Sequence, residues 1–170
     1  MDPRISVVMA TYNMENYLPA SIESILLQTL DDFELIIVDD GSTDTTWEQL
    51  TKYADSDQRV ILLRNSSNSG LSFSLNRGID QSKGQYIARM DADDVSCRDR
   101  LRRQFESFKN DSTIVLCGTN GLYVCHDLTP LRPTILPGAD WKLRCICLFE
   151  NPFMHSSVMM DARIVKSCGG

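Results

Sequence analysis

Three carboxylates occur within four residues in the segment Asp91-Ala92-Asp93-Asp94, directly after an apolar run. Negative charges this close repel one another, so they need a partner of opposite charge. A divalent cation such as Mn²⁺ or Mg²⁺ suits this role, because it binds one or two carboxylates together with phosphate oxygens of a substrate. A solvated acidic turn, with Asp94 capping the next helix, is the alternative. The spacing makes Asp91 and Asp93 candidate metal ligands.

A second acidic cluster lies at residues 39–44 and contains Asp39, Asp40 and Asp44. A tight turn with a helix cap at Asp44 explains part of this cluster, but one cap does not need two further carboxylates. A carboxylate at the ligand-binding edge of a parallel sheet can accept a hydrogen bond from a ribose hydroxyl or a base N–H. Tyr12 offers a ring face on which a base can stack. The cluster is therefore consistent with nucleotide binding.

Apolar runs with β-branched residues alternate with helix-like segments through residue 110. We predict strands at 4–10, 33–38, 60–63 and 86–90, and helices at 17–28, 44–53, 71–79 and 99–110. This alternation predicts an α/β fold, a Rossmann-like open, mostly parallel sheet with helices on both faces. Ligands of such sheets bind outside the C-terminal strand ends. Three of the four predicted strand ends carry polar clusters, at 11–13, 39–40 and 91–93.

The pattern is weaker after residue 110. We predict a strand at 114–118, which residues 121–124 either extend or pair with, followed by an irregular stretch with prolines at 130, 133 and 137. A helix at 141–150 with Asp140 as its cap, a strand at 157–160 and a short helix starting at Asp161 complete the prediction.

The composition describes an acidic domain of ordinary size: 170 residues, 42% hydrophobic, with a net charge of −6. This length suffices for one hydrophobic core, so we expect a single domain over residues 1–170. The negative charge argues against nucleic-acid binding, since proteins that bind nucleic acids usually carry basic surfaces. The sequence contains no signal peptide and no apolar run near the ~18 residues of a membrane span. We expect a cytoplasmic protein without a transmembrane segment.

The six cysteines form no CxxC pair and show no spacing typical of a zinc site. A chain of this size with a substantial core does not need disulfide bonds. We therefore expect reduced and mostly buried thiols.

Four ordered blocks, spanning nearly the whole chain, resemble those of family 2 inverting glycosyltransferases with the glycosyltransferase A fold. The blocks lie at residues 6–13, at 24–29 with 33–44, at 70–79 with 84–94, and at 151–159. The third block contains a match to the metal-binding DxD motif of that family.

The resemblance implies a nucleotide-diphosphate sugar donor, a UDP-sugar above all, bound over the parallel sheet with Mn²⁺ or Mg²⁺. By position, Thr11 and Tyr12 flank the base, and Asp40 is the carboxylate nearest the uracil ring. Asp91 and Asp93 form the DxD motif, with Asp93 as the direct metal ligand. Glu15 is a weaker candidate for the nucleotide pocket. The implied acceptor is a saccharide or a lipid-linked sugar, with peripheral association at the cytosolic face of a membrane.

Two departures from the family pattern concern Arg98, where the family usually has proline, and the catalytic base. The family's base is an aspartate in an acidic block soon after a Gly-Gly-Tyr segment, and this chain ends at Gly169-Gly170. We therefore expect the base to lie beyond residue 170 and name no catalytic residue. We also expect the 170-residue chain, as an incomplete N-terminal portion, to bind donor but transfer sugar poorly.

Three alternatives remain open at this stage. Residues 91–95 also fit the DxDx(T/V) motif of haloacid-dehalogenase-like phosphatases, although that motif normally follows the first strand rather than the fourth. A sugar-nucleotide pyrophosphorylase would need a glycine-rich N-terminal loop, which the sequence lacks. The third alternative is a nucleotide-sugar-binding fragment without turnover.

Overall fold

A computed structural model describes residues 2–125 and 127–169. The first part of the chain alternates strands with helices in the order β1 (Ile5–Thr11), α1 (Leu18–Leu26), β2 (Phe33–Asp39), α2 (Thr46–Ser56), β3 (Val60–Arg64), α3 (Leu71–Gln81), β4 (Tyr86–Asp91) and α4 (Arg100–Asn110). These eight elements confirm the eight predicted from the sequence up to residue 110, with ends that differ by at most three residues. The described residues contain no helix that is long and apolar enough to span a membrane.

The remaining elements are shorter. They are β5 (Leu116–Cys117), β6 (Leu122–Val124), β7 (Pro130–Pro133), α5 (Asp140–Ile146), a 3-10 turn (His155–Ser157), β8 (Met159–Asp161) and α6 (Ala162–Ser167). Strands β6 and β7 form a separate antiparallel pair.

The main sheet has the strand order β3-β2-β1-β4-β8-β5. Its first four strands are parallel, whereas β8 runs antiparallel to both β4 and β5. The prediction of an open, mostly parallel sheet is confirmed. Because β1 lies between β2 and β4, the ends of these three strands meet at one edge.

Helices cover both faces of this sheet, as predicted. Every residue of β1 and β2 is buried, which explains their continuous apolar sequences, since both sides of a central parallel strand need apolar contacts. One face packs Met9, Leu35 and Ile37 against apolar residues of α1, α2 and α4. The other face packs Val8 and Ile87 against α3 and α6.

Several predictions after residue 110 were wrong in detail. The strand expected at 114–118 is only β5, and residues 122–124 pair with β7 inside the stretch expected to be irregular. Helix α5 begins at Asp140 with Ala139 as its cap and ends at Ile146, four residues before the expected end. Strand β8 begins two residues late because a 3-10 turn precedes it. The short helix expected to start at Asp161 is α6, which begins at Ala162 with Asp161 as its cap, accepting from the Arg163 N–H at 2.9 Å.

The cysteines are free, as expected, but the expected burial is wrong. Cys117 on β5 is half-buried, and the other five, at positions 97, 125, 145, 147 and 168, are exposed. Three of these lie between residues 111 and 150, where none of the described residues is buried. A thiol can enter a core only where the chain forms one.

Candidate functional site

A cleft of about 410 Å³ lies at the edge where β1, β2 and β4 end. The register places Thr11 beside Asp39 and Ala10 beside Asp91, so the three polar strand ends are neighbours. The cleft is lined by Ala10, Thr11, Tyr12, Met14, Asp40, Asn68, Gly70, Leu71, Asp91, Ala92 and Asp93. Five of the six residues predicted for the site, all except Glu15, are thus brought together.

Hydrogen bonds join the loop after β1 to the loop after β2. The Asn13 N–H donates to Ser42 Oγ at 3.0 Å, and Asn13 Oδ1 accepts from the Thr43 N–H at 2.9 Å. One residue later, the Met14 N–H donates to Thr46 Oγ1 at 2.9 Å. Asn13 has a φ of 53°, a left-handed conformation that asparagine adopts more readily than most residues. These hydrogen bonds fix the wall of the cleft that carries Thr11 and Tyr12.

Asp40 is a buried carboxylate that organises a third loop of the cleft. Its Oδ1 accepts from Asn65 Nδ2 at 2.6 Å and from the Ser69 N–H at 2.9 Å, and its Oδ2 accepts from the Gly70 N–H at 2.8 Å. Burial raises the pKa of Asp40, but the hydrogen bonds from these three donors and from the Ser74 side chain outweigh burial and hold the pKa below its ordinary value. Asp40 is therefore ionised near neutral pH and acts only as an acceptor.

Thr11 and Tyr12 present two different kinds of surface to the cleft. Thr11 is buried, and its Oγ1 has no hydrogen-bond partner among the described residues, which is costly for a buried hydroxyl. Tyr12 is exposed, so its ring is available for stacking. An unsatisfied hydroxyl beside an exposed ring suits a ligand with both polar edges and an aromatic face.

Asp39, the neighbour of Asp40, does not line the cleft. It is fully buried, accepts from the Ser42 N–H at 3.2 Å, and pairs through Oδ2 with Arg64 Nε at 3.0 Å. Arg64 in turn lies over the Trp47 ring, 4.8 Å from its centroid. Asp39 thus stabilises the turn after β2 and is absent from the cleft lining.

The acidic end of β4 contains an arginine that the sequence analysis missed. Arg89 is buried in β4, and its guanidinium forms an ion pair with Asp91. Asp93 is exposed. Partial burial raises the pKa of Asp93, the charges of Asp94 and Asp91 raise it further, and Arg89 opposes them. The positive charge of Arg89 is directed to Asp91, so it offsets only part of the cluster.

A divalent cation fits this cluster. Asp93 offers a carboxylate whose negative neighbours favour a bound positive charge. No group of three His, Cys, Asp or Glu side chains able to hold a metal occurs within residues 2–125 and 127–169. A cation held by Asp93, with Asp91 beside it, would therefore take its other ligands from substrate phosphates and water, an arrangement typical of Mg²⁺.

Glu15 occupies a different position from the one predicted. Its Oε2 accepts from the Thr45 N–H at 3.0 Å and from Thr45 Oγ1 at 2.6 Å, and its backbone N–H donates to Asp44 Oδ2 at 3.3 Å. The side chain thus helps to fix the start of α2 and does not line the cleft.

His155 and Arg100 connect the later part of the chain to the end of β4. Arg100 Nη1 donates to the carbonyl oxygens of Arg89 at 3.2 Å and Ser156 at 2.7 Å, and burial lowers the pKa of Arg100 to about 10. Partial burial lowers the pKa of His155, the charge of Arg89 lowers it further, and Asp91 acts in the opposite direction. His155 therefore lies within electrostatic reach of the acidic cluster.

Sequence reasoning missed Arg89, Asn65 and the Ser69–Gly70 backbone. A charged residue inside the otherwise apolar run 86–90 was a usable signal for Arg89, because arginine is rarely buried without a partner. The polar stretch 65–70 looked like an ordinary loop, and its bonds to Asp40 span 25 to 30 positions. No local pattern reveals contacts at that separation.

Comparisons with known proteins point to one family. The family model described as "Glycosyl transferase family 2" matches residues 6–156. The O-antigen biosynthesis glycosyltransferase WbnJ of Escherichia coli is 35% identical over 172 residues, which covers 98% of this chain and 66% of WbnJ. The chain spans only 58% to 66% of the length of three of the curated relatives that it matches.

Two solved structures share the fold. The mannosyltransferase PcManGT of Pyrobaculum calidifontis, in complex with GDP-Man and Mn²⁺, superposes with a TM-score of 0.75 at 18% identity, over 100% of this chain and 48% of its own. Residues 1–349 of S. aureus TarS, in complex with UDP, superpose with a TM-score of 0.73 at 20% identity, over 99% of this chain and 49% of its own.

Proposed function

The chain belongs to glycosyltransferase family 2, and from that premise we propose that it carries the donor-binding part of an enzyme that transfers a sugar from a UDP-sugar to a hydroxyl group of a saccharide or lipid-linked acceptor. The observation that carries this proposal is the cleft in which Thr11, Tyr12 and Asp40 meet Asp91 and Asp93. Family membership also removes the reason to consider a phosphatase or a pyrophosphorylase.

The two ends of the cleft suit the two ends of a nucleoside diphosphate. The exposed ring of Tyr12 and the ionised carboxylate of Asp40 fit a base that stacks and donates a ring N–H. Asp93 and Asp91 fit a divalent cation that binds the diphosphate, and such a cation stabilises negative charge on the departing nucleotide. The Mn²⁺ in the PcManGT complex and the UDP in the TarS complex agree with this arrangement.

In the proposed reaction the sugar is transferred with inversion, and the protein's own residues bind, orient and exclude water. The hydrogen bond between the loops at Asn13 and Ser42 keeps the base-binding wall of the cleft rigid. Little conformational entropy is therefore lost when the donor binds. The ion pair with Arg89 fixes Asp91 and leaves the carboxylate of Asp93 for the cation. Inversion also requires a base that deprotonates the acceptor hydroxyl, and we assign that role to no residue.

We also propose that the protein acts in the cytoplasm, at the inner face of a membrane that presents the acceptor. Large apolar side chains are exposed on the segment between β7 and β8. Trp141, Leu148 and Phe149 are 65%, 78% and 89% exposed, and such side chains can insert among lipid headgroups. Sedimentation with anionic vesicles tests this part, and a Phe149→Ser variant that sediments as the parent does would contradict it.

Calorimetry with UDP, with and without Mn²⁺, tests the donor-binding proposal. We expect Mn²⁺ to increase UDP affinity by about tenfold or more, because the cation bridges the diphosphate to the protein. Asp93→Ala should abolish this increase. Asp55→Ala, which removes an exposed carboxylate from α2 outside the cleft, should retain it. Equal metal-linked affinity in Asp93→Ala and the parent would refute the metal site.

Replacing Asp40 tests the base pocket. Asp40→Asn should weaken UDP binding by about 1–3 kcal/mol, the effect of losing a buried charged hydrogen bond. Cytidine diphosphate should be affected less, because the cytosine ring nitrogen is an acceptor and gains nothing from a carboxylate. Identical losses of affinity for UDP and CDP in Asp40→Asn would show that Asp40 does not contribute to base selectivity.

A further inference from the structure

Asn65 is the centre of a hydrogen-bonded chain that joins Arg77, on α3, to the Asp40 carboxylate. Arg77 Nη1 donates to Asn65 Oδ1 at 2.5 Å. The Asn65 amide nitrogen then donates to Asp40 Oδ1 at 2.6 Å and to Ser74 Oγ at 2.8 Å. Asn65, Ser74 and Asp40 are buried, whereas Arg77 is partly exposed and outside the cleft lining.

The chemistry of the two ends allows only one orientation of the Asn65 amide. A guanidinium can only donate hydrogen bonds, and an ionised carboxylate can only accept them. The amide oxygen must therefore face Arg77, and the amide nitrogen must face Asp40. A reversed amide would place two donors together at Arg77 and two acceptors together at Asp40. Without Arg77, only Asp40 and Ser74 would hold the amide in place.

The contacts of Asp40 show what this chain of bonds achieves. Asp40 Oδ1 receives two hydrogen bonds, from Asn65 and Ser69, whereas Oδ2 receives one, from Gly70. The Ser74 side chain also forms a hydrogen bond with the carboxylate. Oδ2, with one backbone donor, is the less occupied of the two oxygens of a side chain that lines the cleft.

We propose that Arg77 is a positioning residue for base selection: through Asn65 it fixes the rotamer of Asp40 in which Oδ2 accepts from the ring N–H of uracil. This inference rests on the proposed function. Arg77 touches no part of the donor, and its effect reaches the base only through the Asn65 amide. Arg77 Nη1 also donates to the Arg64 carbonyl at 2.7 Å, so the same residue fastens the end of β3 to α3.

Uracil and cytosine distinguish this role from simple stabilisation of the fold. Uracil has an N–H at ring position 3, whereas cytosine has an unprotonated nitrogen there. A fixed, ionised Asp40 therefore attracts uracil and repels cytosine. A carboxylate that is free to turn away loses both effects, so the ratio of UDP to CDP affinity reports the orientation of Asp40. A loss of stability alone weakens both ligands equally.

The experiment measures UDP and CDP affinity by calorimetry in the presence of Mn²⁺. The variants are Arg77→Met, which removes the donor, and Arg77→Lys, which keeps one. Arg102→Met is the matched control, because Arg102 pairs with Glu106 on α4 at 3.0 Å and is absent from the cleft lining. We expect the UDP-to-CDP affinity ratio to fall about tenfold in Arg77→Met, the scale of one well-placed hydrogen bond. Arg77→Lys and Arg102→Met should stay close to the parent.

An unchanged ratio in folded Arg77→Met would overturn the inference. A parent protein that binds neither UDP nor CDP would instead overturn the proposed function, and the selectivity role with it. If Arg77→Met fails to fold, Arg77→Leu, which also has no donor, carries the same test. NMR of the Asn65 side-chain amide is independent of nucleotide: its protons should exchange slowly in the parent and in Arg77→Lys, and clearly faster in Arg77→Met or Arg77→Leu. Equal exchange rates would also refute the inference.

Discussion

The sheet built from residues 5–91 and the segment at residues 111–150 differ in how much side-chain surface they bury. Strands β1 and β2 are buried at every position. Between residues 111 and 150, by contrast, none of the described residues is buried, and α5 has no buried side chain. The chain returns to the core at residues 156–162, where β8 pairs with β4 and β5.

This difference in burial shows where the molecule can hold functional groups in fixed positions. The residues that line the cleft come from the first region and the two positions that follow it, and none comes from residues 111–150. Parallel strands with continuous apolar contacts fix their own ends, and hydrogen bonds between loops then fix the side chains that follow. The second region has short strands and exposed apolar side chains, so packing does not hold its side chains in fixed positions.

The largest expected contrast comes from the same substitution in the two regions. Leu35, in β2, is fully buried, whereas Leu148 is 78% exposed. Leu35→Ala should lower the free energy of unfolding by about 2–5 kcal/mol, because it leaves a cavity in a packed core. Leu148→Ala should change it by less than about 0.5 kcal/mol. Urea denaturation followed by circular dichroism measures both, and similar losses would show that the second region is as well packed as the first.

The same contrast explains how much of the fold the sequence could predict. Strands β1 to β4 were predictable because a buried parallel strand is an apolar run with β-branched residues, and the polar residues after each run mark its end. The convergence of Thr11, Asp40 and Asp91 then followed from topology alone. Between residues 111 and 150 none of the described side chains is buried, so neither strand nor helix periodicity is imposed on the sequence. This is why β7 was missed.

The candidate site was less predictable than the fold, because its details depend on contacts between distant residues. Asp40 could be recognised as a functional carboxylate, but its bonds to Asn65 and Gly70 could not. Glu15 lies close in sequence to Tyr12, yet its carboxylate bonds to Thr45 at the start of α2. Local spacing indicates which residues reach a strand end and leaves open which way each side chain turns.

Thiol reactivity should differ within the second region, between β5, which pairs with the main sheet, and the exposed segment around α5. Burial raises the pKa of the Cys117 thiol to about 11 from its ordinary 9.0, which leaves roughly a hundredfold less reactive thiolate near neutral pH. Cys145 and Cys147 are exposed. With iodoacetamide at pH 8, mass spectrometry should detect modified Cys145 and Cys147 well before modified Cys117. Modification of Cys117 at the same rate would mean that β5 detaches readily from the sheet.

Two glycines offer a further comparison. Gly41 has a φ of +77°, and a Cβ at this position would lie 2.8 Å from the backbone of Ser67. Gly138, in the second region, has nothing within 4 Å of the corresponding position. Gly41→Ala should destabilise the protein by about 1–3 kcal/mol through backbone strain and the clash, and Gly138→Ala should be neutral or slightly stabilising. Thermal unfolding of both variants tests this, and a parent-like melting temperature for Gly41→Ala would show that the Ser67 loop can move away.

The smallest expected difference concerns two ion pairs, one where the chain returns to the main sheet and one in the second region. Asp161 is largely buried and accepts from Arg163 Nη2 at 2.7 Å, and this bond lowers the pKa of Asp161 below its ordinary 3.8 despite the opposing effect of burial. Asp140 pairs with Arg144 at 2.8 Å, but both side chains are 79% exposed. Exposed pairs of this kind contribute little.

A carboxylate whose pKa is lowered by folding stabilises the protein above the unfolded pKa, and this contribution is lost as the pH falls through the folded value. Asp161→Asn, which keeps a side chain able to cap α6, should therefore cost about 0.5–1 kcal/mol at pH 7. The cost should shrink toward zero as the pH falls below about 4. Asp140→Asn should match the parent across this range. Thermal unfolding from pH 7 to pH 3 measures the difference, and a cost for Asp161→Asn that is independent of pH would mean that shape, rather than charge, anchors the returning chain to the sheet.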